Sequence, residues 1–197
     1  MRELSIPIDK EVLCGLRAGD IVTLTGTIYT ARDEAHLRAL EEIEAGNDLP
    51  FDTKGAAIFH CGPIMRKYDD TWHLLAAGPT TSARMNSIEP DFIRATGASA
   101  IIGKGGMSQP TIDAMRDSGC IYLAMTGGAA VLAARGVHAV RDVHWLDLGM
   151  PEAVWVLDAV HFGPLTVAID THGVSLYAAV EEETRRRLPS IKRSLGI

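Results

Sequence analysis

The sequence predicts a mixed α/β fold with a parallel βαβαβ unit in its middle and antiparallel strands on either side. Three observations carry this expectation. Short apolar runs recur between about residues 55 and 125, most of them ending in a glycine-rich loop; stretches of helical spacing lie between the later ones; and both flanks are rich in β-branched residues. At 197 residues the chain is long enough to bury a substantial core, and residues 1–197 are expected to form one domain.

Taken in order, Leu4 to Ile8 alternates, and Ile21 to Tyr29 follows the turn at Gly19-Asp20 with six β-branched residues, so both are expected as strands. Residues 33–45 switch to helical spacing, with Ala35, Leu37, Leu40 and Ile43 among Glu, Arg and His, and stop near Gly46-Asn47. Ala56 to Phe59, His73 to Ala77, Ala98 to Ile102 and Ile121 to Met125 are expected as buried strands. Helices at about 88–96 and 109–117 separate the last three, and another follows at Ala129 to Ala134. Strands return at Val137 to Leu148, Ala153 to Val160 and Leu165 to Ile169, and a helix at about 175–187 closes the chain. Its Glu181-Glu182-Glu183-Thr184-Arg185-Arg186-Arg187 run sets three Glu four residues ahead of three Arg, each pair supporting the helix by about 0.2–0.5 kcal/mol, which describes a solvated face.

Composition narrows the function. Apolar residues at 47% and charged residues at 22% exclude disorder, collagen and coiled coil. The net charge of −6, with no long basic run, argues against nucleic acid and anionic membranes, so an anionic ligand must be drawn by a few placed cations. Cys14, Cys61 and Cys120 are odd in number and far apart, which suggests a reducing, cytoplasmic setting and neither a disulfide framework nor a metal-ligand set. Arg2, Glu3, Asp9 and Lys10 stand where a signal peptide would need an apolar run.

The chemistry lies in the loops. Gly78-Pro79-Thr80-Thr81-Ser82-Ala83-Arg84, Gly103-Lys104-Gly105-Gly106 and Thr126-Gly127-Gly128 each follow an expected parallel strand, so they should meet on one edge of the sheet. One crevice would then hold Thr80, Thr81, Ser82, Arg84, Lys104 and Thr126. Glycines let backbone N–H groups approach a ligand, Arg84 can grip a carboxylate bidentately, and Lys104 adds a point charge. Two cations suit a small dicarboxylate. A phosphate fits the same features, although neither GxxxxGK[ST] nor GxGxxG is present; simple strand-to-helix connections would also account for the loops one by one. Arg32-Asp33 is a further candidate, with Asp33 expected as the cap of the next helix and Arg32 either a site residue or an exposed loop residue. The neighbours His60-Cys61 are not expected as a catalytic pair, and His138, His144, His161 and His172 share no metal-like spacing.

Gly55 to Ile64, Ala77 to Met85, Ile102 to Met107 and the Ala-Arg-Asp-Glu-Ala-His of residues 31–36 resemble, in order, the β subunit or C-terminal domain of the class I, iron–sulfur fumarate hydratases and the related L-tartrate dehydratases. The resemblance spans about residues 19–177. It implies a swivelling β/β/α three-layer domain with a parallel central sheet and a smaller antiparallel sheet. It implies a hydro-lyase, with fumarate and water giving L-malate as the first expectation and L-tartrate dehydration fitting the same motifs. In this family a 4Fe-4S cluster, held by three cysteines of a partner α subunit, acts as the Lewis acid, and this chain would bind none. The expected assembly is therefore a hetero-oligomer, α2β2 being one arrangement. By the same resemblance Arg84 and Lys104 bind substrate carboxylates, Arg32 reaches substrate and Thr80 removes the C3 proton, with Thr81 beside it; a hydroxyl can do so only if neighbouring cations lower its pKa or it relays the proton. Asn86 follows Arg84-Met85 where single-chain relatives tend to carry Asp. From a different class, a non-catalytic anion-binding module could keep the same fold.

Overall fold

A computed structural model describes residues 1–197. Its strands are β1 (Arg2–Ser5), β2 (Ile21–Thr30), β3 (Ala57–Phe59), β4 (Ile64–Tyr68), β5 (Thr71–Ala76), β6 (Ala100–Gly103), β7 (Ile121–Ala124), β8 (Val137–His144) and β9 (Val154–Ile169). Its α-helices are α1 (Lys10–Cys14), α2 (Asp33–Glu44), α3 (Glu89–Thr96), α4 (Gln109–Ser118), α5 (Ala130–Arg135) and α6 (Leu176–Leu195).

Seven strands form one mixed sheet in the order β1-β2-β3-β6-β7-β9-β8. The neighbours from β1 through β7 run parallel, while β9 runs antiparallel to β7, β8 and β2. The β2–β9 pairing closes β2, β3, β6, β7 and β9 into a five-stranded, barrel-like sheet. The mixed α/β class and the parallel middle are thus present. The long antiparallel strands, however, are hydrogen-bonded into the same sheet, and the separate antiparallel sheet is the small β4–β5 hairpin.

Period-two alternation divides the strand residues between two apolar clusters. Ala57, Phe59, Ala100, Ile102, Ile121 and Leu123 join Trp155, Leu157 and Val167 of β9 in one. Ile58, Ile101 and Tyr122 point the other way, against Ala35 and Ala39 of α2, Phe92 and Ile93 of α3, and Ile112 and Met115 of α4. Because β3, β6 and β7 are covered on both faces, they read as continuous apolar runs. Pro90 and Pro110 open α3 and α4, and Gly97 and Gly119 close them in the left-handed conformation.

The strand expected at His73 to Ala77 is not part of the parallel sheet. It is β5, the second arm of a hairpin whose two-residue turn, Asp69-Asp70, takes positive φ at both positions. Its residues are half-buried or exposed in alternation, and β3 takes the expected place beside β6. The two strands expected from Ala153 to Ile169 are one strand, β9, which runs through Phe162-Gly163-Pro164. Helix α6 continues to Leu195 through Pro189, with none of its residues buried. No helix is long and apolar enough to cross a membrane.

Candidate functional site

Four parallel strands, β2, β3, β6 and β7, end on one edge, and each is followed at once by a polar or glycine-rich segment. Arg32 follows β2, His60 follows β3, Lys104 follows β6 and Thr126 follows β7. The Gly78–Arg84 loop reaches this edge by a different route from the one expected, because it returns from the β4–β5 hairpin and is then laid across the strand ends. The Ala77 amide donates to the Ala130 carbonyl at 3.0 Å, Pro79 bridges to Cys61, and the Thr80 amide donates to the His60 carbonyl at 2.6 Å. Thr81 then pairs with Lys104, and the Ser82 amide donates to the Lys104 carbonyl at 3.0 Å. Ser82 to Met85 form one turn of 3-10 helix, which carries Arg84.

Arg32 and Arg84 converge on one carboxylate. Asp33 Oδ2 lies 3.1 Å from Arg84 Nη2 and 3.8 Å from Arg32 Nη2, and Arg32 also reaches Glu152 at 3.2 Å. Asp33 is therefore not the cap of α2. Arg32 holds the cap position without a side-chain cap bond, Asp33 is the first helical residue, and its carboxylate faces the arginines. Nor is Arg32 an exposed loop residue: its side chain is 17% exposed, packed over Gly62, and its Nε is buried without a hydrogen-bond partner. Arg84 is 53% exposed. Lys104 lays its aliphatic stem along Gly127 and pairs with no carboxylate. Of the hydroxyls Thr80, Thr81 and Ser82, only that of Ser82 is tied down. Thr126 is exposed on the rim. The Asn86 side-chain oxygen accepts from the Ser108 amide at 2.9 Å.

Beneath this edge the structure reveals a cluster that sequence reasoning missed. His36, His60 and Glu89 are fully buried, with Glu89 Oε2 at 3.0 Å from His60 Nε2 and 3.4 Å from His36 Nε2. The sequence places His36 among the polar residues of an amphipathic helix and Glu89 at a helix start, and nothing in their spacing announces that they meet. A hint lay in His60, a polar residue directly after an all-apolar strand. Neither residue of His60-Cys61 pairs with the other: the His60 ring turns to Glu89 and Ser82, and burial pushes the Cys61 thiol up to about 12. Cys120 is also buried and its thiol is raised by burial, while Cys14 is exposed at the end of α1, which precedes β2 and so lies away from the strand ends that carry the edge. Two sealed, protonated thiols and one distant one do not fit an iron–sulfur cluster.

The edge thus gathers three cations and two untied hydroxyls at the ends of parallel strands, a chemistry that suits a small anion. Residues 3–180 match the Fumarase C-terminus family. The chain is 51% identical over 182 residues, 92% of its length, to a provisionally named L(+)-tartrate dehydratase subunit beta of Methanocaldococcus jannaschii, of which it covers 93%. It is 46% identical over 175 residues to the L(+)-tartrate dehydratase subunit beta of Escherichia coli K12, with 89% of this chain and 86% of that protein covered. A provisionally named class I fumarate hydratase of Geobacillus stearothermophilus is 39% identical over 190 residues, 96% of this chain, which span 36% of that longer protein. The chain belongs to the Fumarase C-terminus family.

Proposed function

We propose that this chain is the β subunit of a two-subunit, iron–sulfur-dependent hydro-lyase acting on L(+)-tartrate. The observation that carries the reading is the meeting of Arg32, Arg84 and Lys104 with Thr80 and Thr81 on one edge, in a chain whose relatives at 46–51% identity bear the name L(+)-tartrate dehydratase subunit beta. A dicarboxylate carries two negative charges at neutral pH, and the bidentate fork of an arginine suits one end while the Lys104 ammonium suits the other. Thr80 lies on the loop that carries Arg84 and, one residue on, pairs with Lys104, and its hydroxyl is free. The neighbouring cations favour its alkoxide over the state it would hold in water, which is what a proton acceptor or relay for the C3 proton requires.

In this reading the cluster belongs to a partner α subunit, as the absence of a suitable cysteine set in this fold supports. The swivelling three-layer description belongs to the same reading, with the barrel-like sheet presenting its edge to the partner and residues 1–197 acting as one domain. The first expectation, fumarate hydration, is kept as the second reading because the 39%-identical relative bears a fumarate hydratase name. The test is to reconstitute the chain with an α subunit carrying the cluster and to compare turnover of L-tartrate and L-malate. Preference for L-tartrate supports the proposal, preference for malate transfers it to the second reading, and inactivity on both leaves an anion-binding module. Turnover by this chain alone would contradict every version.

A further inference from the structure

The buried trio under the cation edge connects, through short hydrogen bonds, to both segments that carry the candidate site. His36 Nδ1 lies 2.8 Å from the Arg32 carbonyl oxygen. His60 Nδ1 lies 2.9 Å from Ser82 Oγ, to which the Tyr122 hydroxyl donates at 2.9 Å, and the His60 carbonyl holds the Thr80 amide at 2.6 Å. Glu89 stands at the centre, within 3.0 Å of one ring and 3.4 Å of the other. Four stretches far apart in sequence, at residues 32–36, 60, 80–82 and 89, are thereby referred to a single carboxylate.

Hydrogen-bond chemistry assigns the protons. A carbonyl oxygen only accepts, so His36 Nδ1 carries a hydrogen. His36 Nε2 faces an ionised carboxylate, which also only accepts, so it carries a second, and His36 is an imidazolium. Ser82 Oγ accepts from Tyr122 and donates to His60 Nδ1, leaving His60 neutral with its hydrogen on Nε2, toward Glu89. One carboxylate then balances one imidazolium, as a fully buried cluster requires, since an unpaired charge there would be very costly. The titration tendencies agree. Burial alone would lower His36 and raise Glu89, but their mutual attraction outweighs it, so His36 is raised, and Glu89, with both imidazoles beside it, is held well below the carboxylate range.

We propose that Glu89 is a positioning residue: through His36 it fixes the backbone of Arg32, and through His60 and Ser82 it fixes the Thr80–Arg84 loop, so that cations and hydroxyl keep one register. Glu89 is fully buried and touches no substrate. The proposal rests on the hydro-lyase reading, because register matters only if these groups act together on one substrate.

The experiment uses Glu89→Gln, which keeps the size and removes the charge, and Ser82→Ala, which removes the side-chain bonds of Ser82 to His60 and Tyr122 and leaves the bond from the Thr80 amide to the His60 carbonyl in place. In the reconstituted complex Glu89→Gln is expected to lower kcat by about 100-fold per folded site, the effect of a misplacement on the order of 1 Å. Ser82→Ala is expected to lower kcat by about tenfold with KM within about threefold, because the Arg32 anchor remains. Nitrogen-15 NMR of the full chain should show both ring nitrogens of His36 protonated at pH 6.5, the ordinary imidazole value, with single protonation reached only at higher pH, and a lower midpoint in Glu89→Gln. A folded Glu89→Gln complex with wild-type kcat and KM overturns the proposal, as does a His36 singly protonated at pH 6.5 in the wild type. A stoichiometric transition metal lost on Glu89→Gln also overturns it, since the trio would then be a metal site. If Glu89→Gln does not fold, Ser82→Ala decides: wild-type kcat there is equally fatal. A wild-type complex inactive on both substrates removes the hydro-lyase reading itself, an outcome distinct from an active enzyme indifferent to Glu89.

Discussion

Gly103, the last residue of β6, tests whether Ser82 is held as tightly as the geometry implies. A Cβ added there would stand 1.9 Å from Ser82 Oγ, 3.0 Å from the Tyr122 hydroxyl and 3.3 Å from His60 Nδ1. Ordinary contact begins at 3.4 Å, so in Gly103→Ala the serine oxygen must withdraw by 1.5 Å, the difference between 3.4 and 1.9 Å. Hydrogen bonds of 2.9 Å to His60 and to Tyr122 cannot both survive that shift. Leaving a buried polar group unpaired costs about 1–3 kcal/mol, and overpacking adds about 1–3 kcal/mol. A loss of about 4 kcal/mol follows, and in a chain of this length each kcal/mol moves the melting temperature by about 2–4 °C. Thermal unfolding followed by circular dichroism should therefore show Gly103→Ala melting about 8–16 °C below wild type. Ser82→Ala introduced into Gly103→Ala removes the obstructing oxygen and should recover a substantial part of the loss, a coupling that a double-mutant cycle reads directly. Melting of Gly103→Ala within about 3 °C of wild type, or a double variant no more stable than the single one, would refute the packing argument.

Further expectations follow from the same geometry. Arg84→Ala should lower kcat/KM of the reconstituted complex by about 10- to 150-fold, the equivalent of about 1.5–3 kcal/mol for a charge-assisted hydrogen bond, with little change in melting because the side chain is half exposed. Asp33→Asn should act in the opposite direction on the isolated chain, tightening L-tartrate binding in calorimetry at low salt by releasing Arg84; unchanged or weaker binding would count against Asp33 as its competitor. Titration with a thiol reagent near pH 8 should find one reactive cysteine in the native chain, Cys14, and three in denaturant, since Cys61 and Cys120 are buried and Cys61 is pushed up to about 12. Stability should also depend on pH through the trio. The Glu89 contribution is complete above its unfolded value of 4.5 and declines as pH falls below it, because the folded carboxyl is the more acidic. The His36 contribution is complete below 6.5 and is lost as pH rises through its raised folded value. Denaturant titrations across pH should show both limbs flattened in Glu89→Gln.

What the sequence made legible was decided by how local each signal is. Apolar runs buried on both faces announced β3, β6 and β7, and proline and glycine punctuation marked α3 and α4, because those cues act within a few residues. The hairpin was hidden: its turn is Asp69-Asp70 rather than an Asn-Gly or Asp-Gly pair, so β5 passed for the first strand of the parallel unit. The candidate edge survived that error because the Gly78–Arg84 loop reaches the same strand ends through backbone bonds to His60 and Lys104. The buried trio could not have been assembled from one sequence. Its members stand on α2, after β3 and on α3, and only the closing of the sheet against its helices brings them within 3.4 Å.

The acid–base balance at the edge also reconciles an anion site with a chain of net charge −6. Three like cations gathered on an empty surface would repel one another, yet here each arginine has a carboxylate of its own, Arg84 with Asp33 at 3.1 Å and Arg32 with Glu152 at 3.2 Å. These partners keep the guanidinium groups ordered and close together before any ligand arrives. Lys104, without a carboxylate, is the cation that the proposed function leaves to meet an incoming anion. Under the proposed function, binding a dicarboxylate would exchange one carboxylate partner for another at the arginines. Such an exchange would select against ligands with a single charge, which gain one contact without a second group for Lys104. Selectivity would reside in the spacing between the arginine pair and Lys104: on the proposed reading the Glu89 trio holds the arginine side, through Arg32 and the Thr80–Arg84 loop, and the backbone bond from the Ser82 amide to the Lys104 carbonyl ties that loop to Lys104.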